Sequence, residues 1–263
     1  MTTSTSTSTV LITGASTGIG AVYADRFARR GHNLVLVARD QARLEALAAS
    51  LRKDTGVSVD LLPADLTVAA DLERVEARLR TDNNIGILVN NAGAAAAGTL
   101  AKPDLAALER LIRLNVTAVT LLTGAVVPRF LERGSGAIIN IASIVGLAPE
   151  IPLGAYGATK AYVLSLSQNL QAELGPRGVY VQAVLPAATR TEIWERSGRD
   201  VNSLKGVMDV NEMVDAALVG FDRREEVTIP SLPDAGQWAA FEGARKAMLP
   251  NFPNEHAAAR YAK

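Results

Sequence analysis

The sequence predicts an α/β fold: a doubly wound, parallel sheet of seven strands in three layers, α/β/α. Short apolar, β-branched segments alternate with longer segments of helical periodicity, which is typical of a parallel sheet with helices on both faces. Several strand segments lack a two-residue alternation, as expected of strands covered on both sides. Glycines at Gly31, 134–136 and 175–178 mark the ends of helical segments.

The individual elements follow from these patterns. The predicted strands are 10–13, 33–38, 57–62, 85–90, 137–141, 179–185 and 226–229. The predicted helices are 19–30, 41–53, 69–80, 104–132 and 154–174. The region 189–220 is less regular, and we expect one or two helices there, outside the sheet. An amphipathic stretch, 235–249, carries Trp238 and Phe241, which we expect to pack on the domain or on a second subunit.

Composition excludes several classes of function. The chain has 263 residues, 48% of them hydrophobic, enough for a full core. Lys+Arg and Asp+Glu are equal at 27 each, so nothing in the charge favours nucleic acid or an anionic membrane. The sequence has no cysteine, which excludes disulfides and thiolate catalysis. His32 and His256 lie far apart, and we expect no metal site.

Targeting signals are not evident in the sequence. Residues 1–8 are mostly Ser and Thr, with neither a basic nor an apolar segment of a secretory signal, and we expect a disordered tail. No apolar run reaches the ~18–20 residues of a membrane helix. We therefore expect a cytoplasmic protein that spans no membrane.

A glycine-rich turn with the spacing Gly-x-x-x-Gly-x-Gly follows the first predicted strand and opens a helix. Glycine lets the backbone turn tightly and approach a ligand, and a helix N-terminus presents free N–H groups to a pyrophosphate. This position favours dinucleotide binding over an ordinary turn, and predicts a Rossmann fold. The predicted cofactor contacts of the turn are Gly14, Ser16, Thr17, Gly18, Ile19 and Gly20.

Arg39 stands at the end of the second predicted strand, after Ala38. A carboxylate there would bind the ribose 2′-hydroxyl of NAD(H), whereas arginine pairs with a 2′-phosphate. The sequence therefore favours NADP(H) over NAD(H). The alternative is an ordinary solvent-facing arginine. Arg43, one turn further along, is a candidate to assist Arg39.

Tyr156 and Lys160 lie four residues apart in a helical segment, which places the phenol and the ammonium on one face. A tyrosine of pKa ~10 is a poor acid or base at neutral pH. An ammonium ~4 Å away at an effective dielectric of ~20 contributes about 4 kcal/mol, or roughly three pK units. The pair therefore predicts a tyrosine of lowered pKa, although this spacing is also common by chance.

These motifs together resemble the short-chain dehydrogenase/reductase family, in its single-domain branch, over roughly residues 9–230. Residues 13–20 are similar to its glycine motif, 90–93 to its Asn-Asn-Ala-Gly segment and 156–160 to its Tyr-x-x-x-Lys motif. The family's adenine contact, helix asparagine and serine are matched by Asp65-Leu66, Asn115 and Ser143. One departure is Pro186-Ala187, where the family usually has Pro-Gly.

The resemblance implies a role for each matched residue. Tyr156 would donate a proton to a carbonyl oxygen as hydride arrives, or remove it in the reverse reaction, and Ser143 would hydrogen-bond that oxygen. Lys160 would lower the tyrosine pKa and hold the nicotinamide ribose. Asn115 would anchor a water that links Lys160 to solvent. Further implied cofactor contacts are Asp65, Leu66, Asn91, Ala92, Gly93, Tyr156, Lys160, Pro186, Thr189 and Thr191.

Each role has a plain structural alternative. Ser143 could be a turn residue after the fifth strand, and Asn115 a buried amide bonded to nearby backbone. Asp65 could be a helix N-cap, although Thr67 competes for that position and would leave Asp65 freer for the cofactor.

The resemblance also implies a single dinucleotide-binding catalytic domain over residues 9–263, with a substrate lid at 190–220 and a C-terminal extension at 231–263. The predicted substrate contacts are Ser143, Ile144, Val145, Leu153, Tyr156, Ile193 and Trp194. Most of these are apolar, which favours a hydrophobic or aromatic ketone or secondary alcohol as the small-molecule substrate. Because no Arg/Lys cluster accompanies them, a 3-oxoacyl thioester ranks lower.

The predicted function is therefore an NADP(H)-dependent oxidoreductase that interconverts a ketone or aldehyde and a secondary alcohol. The alternatives are a 3-oxoacyl thioester reductase and a non-catalytic dinucleotide-binding sensor. The long helical segments 104–132 and 154–174 are apolar on more than one face. In relatives such helices pair across a two-fold axis, which implies a homodimer or homotetramer.

Overall fold

The computed structural model describes residues 8–95, 100–198 and 200–261, and within them the strands form one parallel sheet in the order β3-β2-β1-β4-β5-β6-β7. The strands are β1 (Thr9–Thr13), β2 (Leu34–Ala38), β3 (Val59–Pro63), β4 (Ile85–Asn90), β5 (Gly136–Ile141), β6 (Val179–Val184) and β7 (Val227–Thr228). The predicted fold class is confirmed, and the strand ends agree to within about two residues, the usual uncertainty of such boundaries.

Helices cover both faces of the sheet. They are α1 (Gly18–Arg29), α2 (Gln41–Thr55), α3 (Ala69–Thr81), α4 (Leu105–Ile112), α5 (Val119–Arg133), α6 (Ala155–Leu174), α7 (Ile193–Arg196), α8 (Val210–Asp222) and α9 (Ala235–Lys246). The helix predicted over 104–132 is not uniform, because a π-helical turn, Arg113–Ala118, separates α4 from α5. Such turns are often found at functional sites, and the hydrophobic periodicity did not reveal this one.

Strand order sets the position of the functional site. The strands β1 and β4 are neighbours, and the chain runs outward from them in opposite directions along the sheet. In a parallel sheet, ligands bind outside the carboxyl ends of the strands at such a switch point. The loops that follow β1 and β4 are therefore the expected walls of a cofactor cleft.

Two hydrophobic cores lie on the two faces of the sheet. Phe27 and Leu36 belong to one core, and Val35 and Phe130 belong to the other. Successive β2 residues thus point to opposite cores, which is why this strand shows no polar alternation in the sequence. Burying such side chains contributes about 1.5–3 kcal/mol each, and this packing fixes the positions of the strand ends.

One helical segment, Leu105–Arg133, is long and apolar enough to cross a membrane by length and composition alone. This corrects the sequence prediction that no stretch reaches such a length. Leu122 and Phe130 from this segment are buried in a core beside the sheet, and Leu111 is buried as well. The segment is therefore accounted for as a packed helix of the α/β unit.

The chain divides into two compact units, residues 1–230 and residues 231–263. The first unit contains the sheet. The second contains α9, in which the rings of Trp238 and Phe241 stack with centroids 5.5 Å apart. The tail predicted over residues 1–8 lies outside the described residues except for Ser8, whose carbonyl oxygen lies 2.8 Å from His32 Nδ1.

Candidate active site

The glycine turn after β1 has no room for side chains. Gly14 has φ +65°, and a Cβ on it would lie 2.9 Å from the Ala92 Cα. A Cβ on Gly20 would overlap the Gly14 carbonyl oxygen. Gly18 has φ +56°, and its Cβ would lie 3.2 Å from the Thr191 side chain. Close backbone approach and positive φ both require glycine here.

Asn91 and Thr13 tie the two walls of the cleft together. The Asn91 Nδ2 group donates to the carbonyl oxygens of Thr13 (2.9 Å) and Gly14 (3.1 Å). The Thr13 hydroxyl oxygen accepts from the backbone N–H groups of Asn91 and Ala92, each at 3.0 Å. The sequence analysis did not single out Thr13 as a site residue, because its role depends on a strand 76 residues away.

The N-terminus of α1 is open to an anion. Its N-cap residue, Thr17, has extended backbone, its side chain makes no capping hydrogen bond, and no acidic residue lies in the first turn. The N–H groups of a first turn need partners outside the helix, and a phosphate is well suited to them. Ser16 and Ile19 flank this point and are partly buried. The glycine cradle and the uncapped helix end together fit a pyrophosphate.

Arg39 lies at the far end of the cleft, with 71% of its side chain exposed and its guanidinium 3.8 Å from the Asp65 carboxylate. A cavity of about 230 Å³ lies between them. Its lining residues are Arg39, Pro63, Ala64, Asp65 and Asp71. An exposed guanidinium beside a small cavity is suited to a phosphate group. Leu66, the residue after Asp65, is buried.

Asp65 is engaged locally. Its Oδ1 accepts from the Thr67 backbone N–H at 2.9 Å and from the Thr67 hydroxyl at 2.7 Å. The N-cap residue of α3 is Val68. The prediction that Thr67 would take the cap and free Asp65 is therefore wrong, because the threonine side chain turns back to the aspartate.

Arg43 is engaged in an ion pair with Glu192. Its Nη1 donates to both carboxylate oxygens of Glu192, at 2.9 and 2.7 Å. Glu192 is the N-cap residue of α7, in the predicted lid region. The exposed pair therefore links α2 to the predicted lid, and such exposed ion pairs contribute little to net stability.

Tyr156 and Lys160 lie on α6 near the end of β5. The Lys160 side chain is buried, and its Nζ donates to the Ile141 carbonyl oxygen at 2.8 Å. The same Nζ lies 5.8 Å from the centroid of the Tyr156 ring. It also lies 3.6 Å from the position that a Cβ on Gly93 would take. The amine therefore lies between α6 and the loop that follows β4.

The pKa values of the pair differ from the sequence prediction. Burial lowers the pKa of Lys160 to about 8. Burial raises the pKa of Tyr156, and a side-chain hydrogen bond between Tyr156 and Ser143 lowers it in part. The prediction that Lys160 lowers the tyrosine pKa is wrong for these side chains taken alone, because desolvation of the phenolate is the larger effect.

Ser143 begins the turn between β5 and α6. Its hydroxyl donates to the Pro186 carbonyl oxygen at 3.2 Å and accepts from the Val145 N–H at 3.4 Å. A Cβ on Gly146 would lie 2.9 Å from the Lys160 carbonyl carbon, so this turn packs directly on α6. Sequence analysis did not identify Gly146, whose requirement arises only from that close approach.

Asn115, in the π-helical turn, is buried and fully engaged. Its Oδ1 accepts from the Ala94 N–H, and its Nδ2 donates to the Ala94 carbonyl oxygen, each at 3.0 Å. Nδ2 also donates to the Thr159 hydroxyl at 3.1 Å. The side chain thus clamps the loop after β4 to α6. Its water-anchoring role stays a prediction.

The loop after β6 leads into the lid. The Thr189 hydroxyl donates to the Ala187 carbonyl oxygen at 3.0 Å, and the Trp194 indole N–H donates to the Thr189 carbonyl oxygen at 2.7 Å. Among the described residues, Arg224 is the non-glycine with positive φ. Alanine at position 187, where the family usually has glycine, is therefore accommodated without strain.

The predicted rim of the substrate pocket is divided between three segments. Ile144 and Val145 lie in the turn after Ser143, and Leu153 precedes α6, where its carbonyl oxygen accepts from the Tyr156 N–H at 3.2 Å. The remaining predicted rim residues, Ile193 and Trp194, lie in α7. All five are partly buried, and their contact with substrate stays a prediction.

Comparison with known proteins identifies the family. The sequence model of the short chain dehydrogenases matches residues 8–202. The chain belongs to this family. A short-chain dehydrogenase from Sphingobium yanoikuyae, solved in complex with NADPH, is 62% identical over 97% of this chain and 100% of its own, with a TM-score of 0.95. The bulky-bulky ketone specific alcohol dehydrogenase of Comamonas testosteroni is 54% identical over 98% and 100%, with a TM-score of 0.92.

More distant relatives are named for other substrates. Human 17-beta-hydroxysteroid dehydrogenase type 3 is 32% identical over 91% of this chain and 79% of its own length. The very-long-chain 3-oxoacyl-CoA reductase of Anas platyrhynchos is 35% identical over 70% of this chain. The chain spans 60% of the length of that reductase.

Replacing Lys160 by methionine removes a buried charge, and its effect on stability depends on pH. Below pH ~8 the lysine is protonated in both folded and unfolded states, so its burial opposes folding. Between ~8 and 10.5 the folded state has lost the proton and the unfolded state has not, so wild-type stability rises with pH. From pH 7 to 10 the unfolding free energy of Lys160→Met should therefore fall by about 2–3 kcal/mol relative to wild type.

Urea unfolding at several pH values measures this difference. The exposed Lys53, at the end of α2, provides the control: Lys53→Met should keep a constant difference from wild type over the same range. A constant difference for Lys160→Met as well would show that the amine titrates as it does in solvent.

Proposed function

We propose that this protein is an NADP(H)-dependent oxidoreductase that interconverts a ketone or aldehyde and a secondary alcohol. The observation that carries the proposal is the grouping of Ser143, Tyr156 and Lys160 beside the cleft. The Ser143 hydroxyl and the Tyr156 phenol share a hydrogen bond. The Lys160 amine lies between the Tyr156 ring and the loop at Gly93. These three side chains offer a proton donor, a second hydrogen-bond donor and a titratable amine, which supports the proposal.

The side chains support carbonyl reduction by proton transfer. When bound, NADPH supplies the hydride. The Tyr156 hydroxyl donates the proton to the carbonyl oxygen, and its raised pKa keeps the phenol protonated at neutral pH. The Ser143 hydroxyl donates to the Pro186 carbonyl oxygen. When substrate binds, this hydroxyl rotates and donates to the substrate oxygen instead. Lys160, with a pKa of about 8, exchanges protons readily near neutral pH.

The reverse reaction requires the phenolate, which removes the proton of the alcohol. Since burial raises the pKa of Tyr156, alcohol oxidation is expected to need a higher pH than ketone reduction.

Two observations support NADP(H) as the cofactor. Arg39 presents an exposed guanidinium to the small cavity at the end of β2. The similar protein from Sphingobium yanoikuyae was solved with NADPH. Asp65 stands 3.8 Å from Arg39 and orients the guanidinium without a tight contact, so the arginine keeps donors for a 2′-phosphate.

For the substrate, we favour a ketone with bulky apolar groups on both sides of the carbonyl. The predicted rim is mostly apolar, and the Comamonas testosteroni enzyme named for such ketones matches nearly the whole chain. A 3-oxoacyl thioester is the second candidate, supported by the 3-oxoacyl-CoA reductases that match 70% of the chain. A non-catalytic sensor is disfavoured, because tyrosine and lysine are both retained.

We also propose that the protein forms a homodimer or homotetramer and acts in the cytoplasm. Apolar side chains remain exposed on α4, α5 and α6. They are Leu105, Ile112, Leu121 and Tyr162. Exposed apolar groups on adjoining helices are suited to pairing with a second copy.

Tyr156→Phe should lower kcat for ketone reduction by about 10²–10⁴-fold, because the proton donor is removed, while NADPH affinity changes little. Tyr162→Phe is the matched control: it removes a hydroxyl from the same helix, one bonded at 2.8 Å to Thr120. Steady-state kinetics and NADPH fluorescence titration measure both effects. Full turnover by Tyr156→Phe would refute the catalytic assignment.

Arg39→Asp should raise KM for NADPH and lower KM for NADH, changing the ratio of the two kcat/KM values by about 10²-fold or more. Lys53→Asp serves as the control, since it makes the same charge change at the opposite end of α2. Kinetics with both cofactors measure the ratio. An unchanged ratio in Arg39→Asp would show that residues other than Arg39 recognise the 2′-phosphate.

A substrate panel discriminates the two candidate substrates. The wild-type enzyme should reduce ketones with two bulky aryl or alkyl groups with kcat/KM about tenfold or more above that for 3-oxoacyl-CoA thioesters, because the predicted rim is apolar and carries no cationic cluster. NADPH oxidation followed at 340 nm measures both series. The opposite ranking would favour the thioester reductase.

A further inference from the structure

The hydroxyl of Thr159 occupies a central position that sequence analysis did not assign. Thr159 lies on α6 between Tyr156 and Lys160, and only 4% of it is exposed. Its hydroxyl donates to the Tyr156 carbonyl oxygen at 2.8 Å and accepts from Asn115 Nδ2 at 3.1 Å. One hydroxyl thus joins the first turn of the catalytic helix to the π-helical turn.

The chain of bonds continues to the cofactor side of the cleft. Asn115 holds the Ala94 N–H and carbonyl oxygen with its two amide atoms. The adjoining Gly93 is close to both groups: a Cβ there would lie 3.4 Å from Asn115 Oδ1 and 3.6 Å from Lys160 Nζ. The clamp and the amine therefore converge on the same loop, and Thr159 connects that loop to Tyr156.

We propose that Thr159 is a positioning residue for the reaction. This inference rests on the proposed function of the site. The Thr159 hydroxyl fixes the spacing between the loop at 93–94 and the first turn of α6, and thereby the distance between the Tyr156 phenol and the reacting carbonyl. Misplacement of a reacting group by ~1 Å costs up to about 10²-fold in rate.

A bond from threonine to a carbonyl one turn back is common in helices and has by itself no functional meaning. Thr159 makes a second bond, because its oxygen also accepts from the buried Asn115 amide, which connects it to the loop at Gly93 and Ala94. Ser167, further along α6, makes the same pair of bonds: it donates to the Val163 carbonyl oxygen at 2.7 Å and accepts from Asn140 Nδ2 at 2.9 Å. Eight residues of helix separate Ser167 from Thr159, about 12 Å along the axis.

This repetition supplies a matched control. Thr159→Val and Ser167→Ala each remove a buried hydroxyl with the same two bonds from the same helix, so a general loss of stability should be similar in both. The positioning role predicts that only Thr159→Val lowers kcat, by about tenfold or more, with KM for ketone and Kd for NADPH within about threefold of wild type. Thr159→Ser, which keeps the hydroxyl, should restore kcat to within about twofold.

The pH dependence of kcat gives a second readout. A displaced phenol has a different burial and a different contact with Ser143, so the midpoint of the kcat profile should move by about 0.5 unit or more in Thr159→Val and stay in place in Ser167→Ala. Circular dichroism and thermal melts confirm folding of each variant. If Thr159→Val does not fold, Thr159→Ala takes its place.

Four results would overturn the proposal. One is an unchanged kcat and pH profile in folded Thr159→Val, with the wild type active, which leaves the proposed function intact. Another is an equal loss of kcat in Ser167→Ala, or failure of both Thr159 variants to fold, either of which assigns the hydroxyl to helix stability alone. A wild type that reduces no ketone of the panel overturns the positioning role together with the proposed function.

Discussion

The hydrogen bond from the buried Lys160 amine to the Ile141 carbonyl oxygen holds the site together. It joins the end of β5 to α6, and it positions the amine between the Tyr156 ring and the loop that follows β4. An amine buried to this extent is stable only with such a partner, and it loses its proton more easily than an exposed lysine. The Ser143 turn, the Gly146 contact and the Asn115 clamp all pack around this connection.

Burial shifts the pKa values of the two groups in opposite directions. It keeps the phenol of Tyr156 protonated and brings the amine of Lys160 towards neutrality near pH 8. A neutral phenol is the form that donates a proton to a carbonyl oxygen, and an amine with a pKa near the working pH takes up and releases protons readily. The same desolvation that opposes folding therefore prepares the pair for proton transfer in the reductive direction.

Much of the fold was predictable from the sequence, because a continuous apolar run such as the one that contains Val35 and Leu36 indicates burial on both faces of a strand. The glycine turn was also recognisable from the sequence, because positive φ and close backbone approach restrict its composition to glycine. The tyrosine pKa was mispredicted, since the spacing of Tyr156 and Lys160 gives their proximity and not their desolvation. The partners of Thr13 and Thr159 come from distant segments, and local sequence carries no signal for them.

The most direct measurement of the central claim is the transfer of label from NADPH deuterated at C4 of the nicotinamide to a ketone with two bulky groups. We expect the wild type to place deuterium on the carbinol carbon of the product, and Tyr156→Phe to form almost none of that product while it still binds the cofactor. Absence of labelled alcohol from the wild type over the whole ketone panel, with NADPH bound, would contradict the proposed reaction.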